Sequence, residues 1–496
     1  MSASKIAVCL QEPIGVINPN VYGHFAEHLG ACIYEGVWVG EKSAIPNIGG
    51  IRRDLVEALK KIHPPVVRWP GGCFADDYHW EDGVGPRASR PRRINIHWGE
   101  TIETNEFGTH EFIHFCRLIG AAPYICGNVG SGAPSELRNW VEYCNFPGDS
   151  TLAAQRGANG SPEPLGVRYW GVGNENWGCG GNFTPEDYAT EYKRFSTYLR
   201  DFGGLQLYLI ACGPSGNNAD WTRRFFTQLG GYRRIHAFAA HYYCGTAGNA
   251  TEYTETQWYE LIHRSVHVEA LIKQQRAIMD GFDPDRRIGL IIDEWGTWHP
   301  PTPGRPPRHL WQQNTMRDAL VAAATLDIFN RHADKVVMGN IAQTINVLQA
   351  MILTDGPRML TTPTYHVYDM YQSHQGGQGL RAFFEADEII FKVGADQRPP
   401  SRLAGLCGSA SLKGNVLTLS VVNPHAATPV EADISLRGAA CKEATETVLA
   451  HPDIHAHNTH DAPHLVTPHT RPLSVSGSEW RHTFAPASVT VLRIVL

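Results

Sequence analysis

From about residue 20 to residue 370 the chain alternates short apolar runs with longer stretches whose apolar positions recur at helical spacing. Eight runs predict strands: Val21–His28, Val66–Pro70, Pro123–Asn128, Arg168–Gly173, Leu205–Cys212, Ala237–Tyr243, Ile288–Glu294 and Val336–Gln343. Each is apolar and bounded by Gly, Pro or Asn, the pattern of a parallel strand covered on both faces. Eight strand–helix alternations in sequence favour closure into a (β/α)8 TIM barrel over an open sheet. One helix can be read closely. Thr184 is a suitable N-cap, Pro185 suits the first helical position and Asp187 the third. Tyr188, Tyr192, Phe195 and Leu199 then fall on one face, as a core-facing stripe should.

After Ser373-His374-Gln375-Gly376-Gly377 the pattern shifts to strand-like runs separated by turns, among them Val416–Val422, Val430–Leu436 and Ser488–Leu496. This predicts a catalytic barrel over residues 16–375 and a C-terminal all-β, jelly-roll-like sandwich over 376–496, completed by residues 1–15. A length of 496 residues accommodates both.

Composition narrows the partners. Hydrophobic residues at 42%, charged residues at 19% and a net charge of -6 describe a globular chain with no basic face for nucleic acid or an anionic membrane. The start, MSASKIAVCLQEPIG, does not read as a secretory signal, and no run reaches the roughly 18 apolar residues of a membrane helix. The 11 cysteines lack CxxC pairs and read as reduced, mostly buried thiols in a cytoplasmic protein.

Barrel chemistry sits where the strands end. The fourth predicted strand ends in Gly173-Asn174-Glu175-Asn176-Trp177, the seventh in Asp293-Glu294-Trp295-Gly296. A carboxylate at the mouth of a buried strand costs desolvation energy, so two of them point to chemistry. A proton donor and a nucleophile about 5–5.5 Å apart are what retaining glycoside hydrolysis requires. The sixth strand brings His241 and Tyr243 to one side, where the Tyr243 hydroxyl could orient a carboxylate. Arg68, on the second strand, needs an acidic partner, and Glu27 at the end of the first is the candidate. Trp98 and Trp298, in the loops after strands 2 and 7, suit the apolar faces of a sugar. The proline-rich loop from His299 to Pro307 either walls a pocket or bridges subunits. Asp76 and Asp77 are expected to organise their own loop. The histidines 451, 455, 457, 460, 464 and 469 read as loop residues, not as a metal tract.

The segments NPNVYGHFAEHLG, RWPGGCFADDYHW, GNENWGCGG, IIDEWG and NVLQAM together resemble the arabinofuranosidases of glycoside hydrolase family 51 over nearly the whole chain. The resemblance implies a retaining, exo-acting α-L-arabinofuranosidase with Glu175 as acid/base and Glu294 as nucleophile. It implies furanose contacts from Glu27, Arg68, Cys73, Asn174, Tyr243 and Gln349, with His241 nearby and Trp98 and Trp298 lining the pocket. The implied substrate is an arabinofuranosyl oligosaccharide from arabinan or arabinoxylan. No cofactor or metal is implied, and the assembly implied is a homohexamer. Other readings stay open. The same site could serve a β-xylosidase or endo-β-glucanase, which aryl glycoside preferences would distinguish. A metal-dependent sugar isomerase would lose activity to chelators, and a carbohydrate-binding protein would have no turnover to lose.

Overall fold

The computed structural model describes residues 4–245, 247–394 and 399–496. Residues 1–3, included in the expected N-terminal addition, and 395–398, within the expected sandwich, lie outside the described residues.

Eight parallel strands close into a barrel: β1 (Gly23–Phe25), β2 (Val66–Trp69), β3 (Ala122–Gly127), β4 (Tyr169–Val172), β5 (Tyr208–Ser215), β6 (Ala237–Gly245), β7 (Gly289–Trp298) and β8 (Val336–Ala342). Every predicted strand is present. The main difference lies at the C-terminal ends of β5, β6 and β7, which run past their predicted limits. A register shift between Ala240 and His241 lets β6 stay paired with β7, matching His241 to Glu294 and Gly245 to Trp298. Apolar periodicity could not show this extension, because polar site residues interrupt it.

Helix Pro185–Ser196 starts as its sequence predicts, with the Thr184 side chain accepting from the Asp187 amide. Tyr188, Tyr192 and Phe195 are buried on its inner face, while Leu199 is buried just beyond its end.

The C-terminal region forms the expected all-β domain. Hydrogen bonds join nine strands into a single curled, mixed sheet. Its third to eighth members, in spatial order, are Ser488–Val495, Val416–Asn423, Cys407–Lys413, Gln378–Glu385, Ser4–Val16 and Val430–Arg437. The N-terminal strand Ser4–Val16 thus sits deep in this sheet, antiparallel to Gln378–Glu385 and parallel to Val430–Arg437. Ile6, Val8, Leu419, Ile434 and Leu492 build its separate apolar core.

Helix Met316–Arg331, buried along nearly its whole length, packs against this sheet as well as the barrel. Its Asp327 carboxylate accepts hydroxyl hydrogen bonds from Ser409 (2.7 Å) and Ser420 (2.5 Å) on the sheet and Tyr371 (3.0 Å) on a neighbouring helix. Burial pushes Asp327 up to about 6 although these hydroxyls favour the ionised form. Asp327→Ala strips three hydroxyls of an acceptor and should destabilise the protein by about 3 kcal/mol. Urea unfolding measures this, and a loss below about 0.5 kcal/mol would mean the cluster does not join the two regions.

Candidate active site

The site grows from the strand ends. After β4 the chain turns through Gly173 (φ 91°) and Glu175 (φ 41°). A Cβ at Gly173 would lie 2.2 Å from the Asn176 side chain, so only glycine fits. Glu175 occupies a left-handed conformation that non-glycine residues seldom adopt, which fixes its carboxylate at the barrel mouth at some backbone cost. Asp76 secures this turn. Its carboxylate accepts from the amides of Val129 and Gly130 (2.7 Å each) after β3 and of Asn174 (2.9 Å) after β4. Burial pushes Asp76 up to about 7 against the pull of those amides. It therefore organises neighbouring strand ends, a wider role than its own loop.

Arg68 on β2 is fully buried and grips three groups. It donates to Glu294 Oε1 at 2.6 Å and to Asn174 Oδ1 at 2.5 Å, and its Nε lies 3.3 Å from Asp293. Asp293 also accepts from the Tyr124 hydroxyl (2.8 Å) and the Asn340 amide (2.7 Å). The expected pairing of Arg68 with Glu27 is thus corrected. The adjacent acidic residues of β7 compete successfully for the guanidinium, and Asn174 takes a remaining donor. Arg68 consequently lies beneath the cavity.

Glu294 is further held by the Tyr243 hydroxyl, which donates to Oε2 at 2.7 Å. Burial alone would raise its pKa, but His241, Arg68 and Tyr243 outweigh burial and hold Glu294 below the usual carboxylate range. His241 Nδ1 stands 2.9 Å from Glu175 Oε1 and 3.6 Å from Glu294 Oε2. Burial opposes its charge, yet the two carboxylates raise its pKa. Glu175, His241 and Glu294 each place one polar atom within 4.8 Å of the others. The two carboxyls thus stand close enough to act on opposite sides of one glycosidic carbon, at the shorter of the separations known for such pairs.

These groups face a cavity of about 440 Å³, lined also by Glu27, Cys73, Trp98, Trp298, Trp177 and Gln343. Two carboxylates beneath indole rings offer hydrogen bonding to hydroxyls and apolar contact to a sugar face. Glu27 accepts from the Trp98 indole (2.9 Å), the Phe74 amide (3.1 Å) and Gln343 (3.1 Å). Burial and the nearby Glu294 charge push Glu27 up to about 7.

The comparisons with known proteins agree. The α-L-arabinofuranosidase 1 domain model matches residues 58–260, and the α-L-arabinofuranosidase C-terminal domain model matches residues 293–488. An intracellular exo-α-L-arabinofuranosidase of Bacteroides ovatus is 43% identical over 94% of this chain and 91% of its own length. The chain belongs to the α-L-arabinofuranosidases of glycoside hydrolase family 51. Among solved structures, the family 51 arabinofuranosidase of Xanthomonas axonopodis pv. citri superposes with a TM-score of 0.94 at 39% identity, covering 99% of this chain and all of that one. The arabinose complex of the Thermotoga maritima α-L-arabinofuranosidase gives 0.88 at 31% identity, with both chains fully covered.

In this family 51 chain the sites implied by resemblance separate into two sets. Glu27, Cys73, Trp98, Glu175, His241, Tyr243, Glu294 and Trp298 line the cavity. Arg68, Asn174 and Gln349 are not among its lining residues. Gln349 is corrected to a supporting position. Its Oε1 accepts from the Thr297 amide (2.9 Å), and its Nε2 donates to the Asp318 carbonyl (2.7 Å), tying the end of β7 to helix Met316–Arg331. Cys73 is not a thiol but half of a disulfide with Cys179, correcting the expectation that all cysteines are reduced. The pairing was invisible because the two cysteines lie 106 residues apart and meet only when the β2 and β4 loops converge. The other nine cysteines are free, and all but Cys407 are buried. Gln343 and Trp177 were missed, although Gln343 directly follows β8, where barrel chemistry is expected. Pro300–Pro303 line a separate cavity with Trp311 and His457, and the Tyr253 ring packs on His455. Among the described residues the histidines after residue 450 form no metal-ligand group.

The Trp98 loop is set by Asn95. Asn95 Oδ1 accepts from the amides of His97 (3.2 Å) and Trp98 (3.0 Å), and its Nδ2 donates to Glu103 (3.0 Å) and the His28 carbonyl (2.7 Å). Asn95→Ala should lower kcat/KM on an aryl arabinofuranoside by roughly tenfold to a hundredfold, mainly through KM, because misplacing a binding ring by about 1 Å costs that much. Steady-state kinetics would show it. An unchanged KM would mean the loop holds without Asn95.

Glu27 gives a pH signature. Its carboxyl titrates near 7 when folded, above its unfolded value, so the native state retains a proton that the unfolded chain releases. Stability therefore falls as pH rises through that window. Glu27→Gln should gain roughly 3 kcal/mol relative to the parent between about pH 4 and 8. Denaturant titrations at the two pH values test this, and a flat difference would count against it.

Proposed function

We propose that this family 51 chain is an exo-acting α-L-arabinofuranosidase that removes terminal arabinofuranosyl residues by double displacement with retention. The observation that carries the reading is the close approach of Glu175 and Glu294, within 4.8 Å by their nearer oxygens, at the ends of β4 and β7. Retaining enzymes hold their carboxyls about 5–5.5 Å apart, whereas inverting ones leave about 6.5–9.5 Å for a water.

The surroundings support distinct roles. Glu294, gripped by Arg68 and Tyr243, stays ionised and attacks the anomeric carbon. Glu175, whose contacts are His241 and the two cystine sulfurs, donates its proton to the departing oxygen. The C–O bond to the aglycone breaks as the bond to Glu294 forms. Water then enters, gives a proton to Glu175 and its oxygen to the anomeric carbon, releasing Glu294. As positive character develops on the sugar, the ionised Glu294 lies where negative charge is useful. Trp98 and Trp298 seat the ring. Asn174, fixed by Arg68 and Asp76 beneath the cavity, holds the turn that carries Glu175.

The substrate reading draws on the Bacteroides ovatus relative, whose name describes an intracellular exo-α-L-arabinofuranosidase, and on the Thermotoga maritima structure described as an arabinose complex. We place this chain in the same compartment and assign it arabinofuranosyl oligosaccharides from arabinan or arabinoxylan. No helix among the described residues is long and apolar enough to cross a membrane. Assembly as a homohexamer follows from the family resemblance and is measurable by light scattering.

Glu294→Ala should lose turnover by at least about 10⁴-fold, with azide restoring it and giving the azido sugar of inverted configuration. Glu175→Ala should slow poor leaving groups far more than good ones, with azide yielding a retained product. Proton NMR identifies each anomer. Undiminished hydrolysis by Glu294→Ala, or a first-formed arabinose of inverted configuration from the parent enzyme, would overturn the mechanism. Faster turnover of an aryl xyloside or soluble β-glucan than of an aryl arabinofuranoside would overturn the substrate.

A further inference from the structure

Cys73 follows β2 and Cys179 lies in the loop after β4, and their disulfide forms part of the active-site wall. Both are partly accessible, unlike most of the other cysteines. Their sulfurs lie 3.8 Å (Cys73) and 3.5 Å (Cys179) from the same oxygen, Oε2 of Glu175. The other Glu175 oxygen is 2.9 Å from His241 Nδ1.

We propose that reduction of this disulfide converts the wall into an inhibitory Zn²⁺ site, with Cys73, Cys179 and Glu175 as ligands. In a tetrahedral site with Zn–S near 2.3 Å and Zn–O near 2.1 Å, sulfur and oxygen ligands stand about 3.6 Å apart and two sulfurs about 3.8 Å apart. Both sulfur–oxygen separations already match. Only the sulfur pair has to open, from a covalent bond to contact distance, each atom moving less than about 1 Å. Side-chain rotation supplies that on two loops whose Cα atoms are 5.5 Å apart. His241 then fixes the ligating carboxylate from behind, as outer partners of metal sites do. The fourth position faces the cavity and takes water.

The chemistry balances. Two small thiols, or one dithiol, break the S–S bond; each cysteine sulfur gains a proton and the reductant leaves as its own disulfide. Zinc binding expels both thiol protons and, from the acid form of Glu175, the carboxyl proton, so one Zn²⁺ replaces up to three H⁺. The bound ion occupies the Glu175 oxygen needed for proton transfer. Loss of activity therefore rests on the acid/base assignment above, whereas ion binding does not.

The test compares the intact oxidised enzyme with enzyme reduced by a phosphine, which takes oxygen from water, leaves as phosphine oxide and does not compete as a thiol ligand. Reduced enzyme should bind one more equivalent of Zn²⁺ than oxidised enzyme by equilibrium dialysis. Co²⁺ in its place should show sulfur-to-metal charge-transfer absorption. Activity should fall at least about tenfold on zinc addition and return with a chelator, while oxidised enzyme is unaffected. Reduced Cys179→Ser should bind the extra zinc more than about a hundredfold more weakly, beyond what loss of an outer partner costs. No extra equivalent on reduction, or equal binding by reduced Cys179→Ser, overturns the site. Equal inhibition of oxidised and reduced enzyme also overturns it, placing the ion on Glu175, His241 and Glu294. Binding with the cobalt absorption but without inhibition keeps the site and counts against Glu175 as acid/base.

Discussion

A single buried guanidinium is the constraint around which this site is arranged. Arg68 cannot leave the barrel without stripping Asp293 and Glu294 of the buried cation they share. The same cation reaches Asn174, so strands β2, β4 and β7 meet at one planar group. Its fork geometry suits this better than a lysine ammonium, which could not hold three acceptors in fixed directions. Glu294 keeps its charge and orientation through this guanidinium together with His241 and Tyr243. Glu175, one residue beyond Asn174, inherits its position from the same anchor without sharing the cation.

Around this centre lies a shell of buried polar residues that never touch the cavity. Asp76 joins the ends of β3 and β4 through backbone amides. Asp318, His299 and Gln349 hold the long end of β7, with Thr297 and His299 both directed at the Asp318 carboxylate. Asn95 does the same for the loop that carries Trp98. The carboxylates and amides of these networks are paired locally, which is how a barrel mouth built from irregular loops can be rigid. Burial raises Glu27 and Asp76 toward neutrality, a stability cost accepted at a site whose shape serves binding.

The barrel was legible because its strands are nearly continuous apolar runs, a pattern that survives without neighbours. Glu175 and Glu294 were legible because a carboxylate after such a run has no structural motive. What escaped was whatever depends on loops meeting. Arg68 reads as a partner for Glu27 until the fold brings β7 alongside. Gln349 resembles a sugar ligand in its motif but is turned toward the Asp318 carbonyl. Cys73 reads as a thiol because Cys179 is distant in sequence. In the C-terminal region, alternating strands made the all-β domain clear, but alternation does not give the order in which its nine strands pair.

The strand Ser4–Val16 has a bearing on biogenesis. It leaves the ribosome ahead of the barrel, yet both of its partners, Gln378–Glu385 and Val430–Arg437, are made after the whole barrel. At cellular synthesis rates it waits on the order of twenty seconds or more with both edges unpaired. Ile6 and Val8, wholly buried at the end, are open to other chains meanwhile. Early protection of this segment by a chaperone, or slow synthesis at low temperature, would then govern the yield of assembled enzyme more than the stability of the finished fold does.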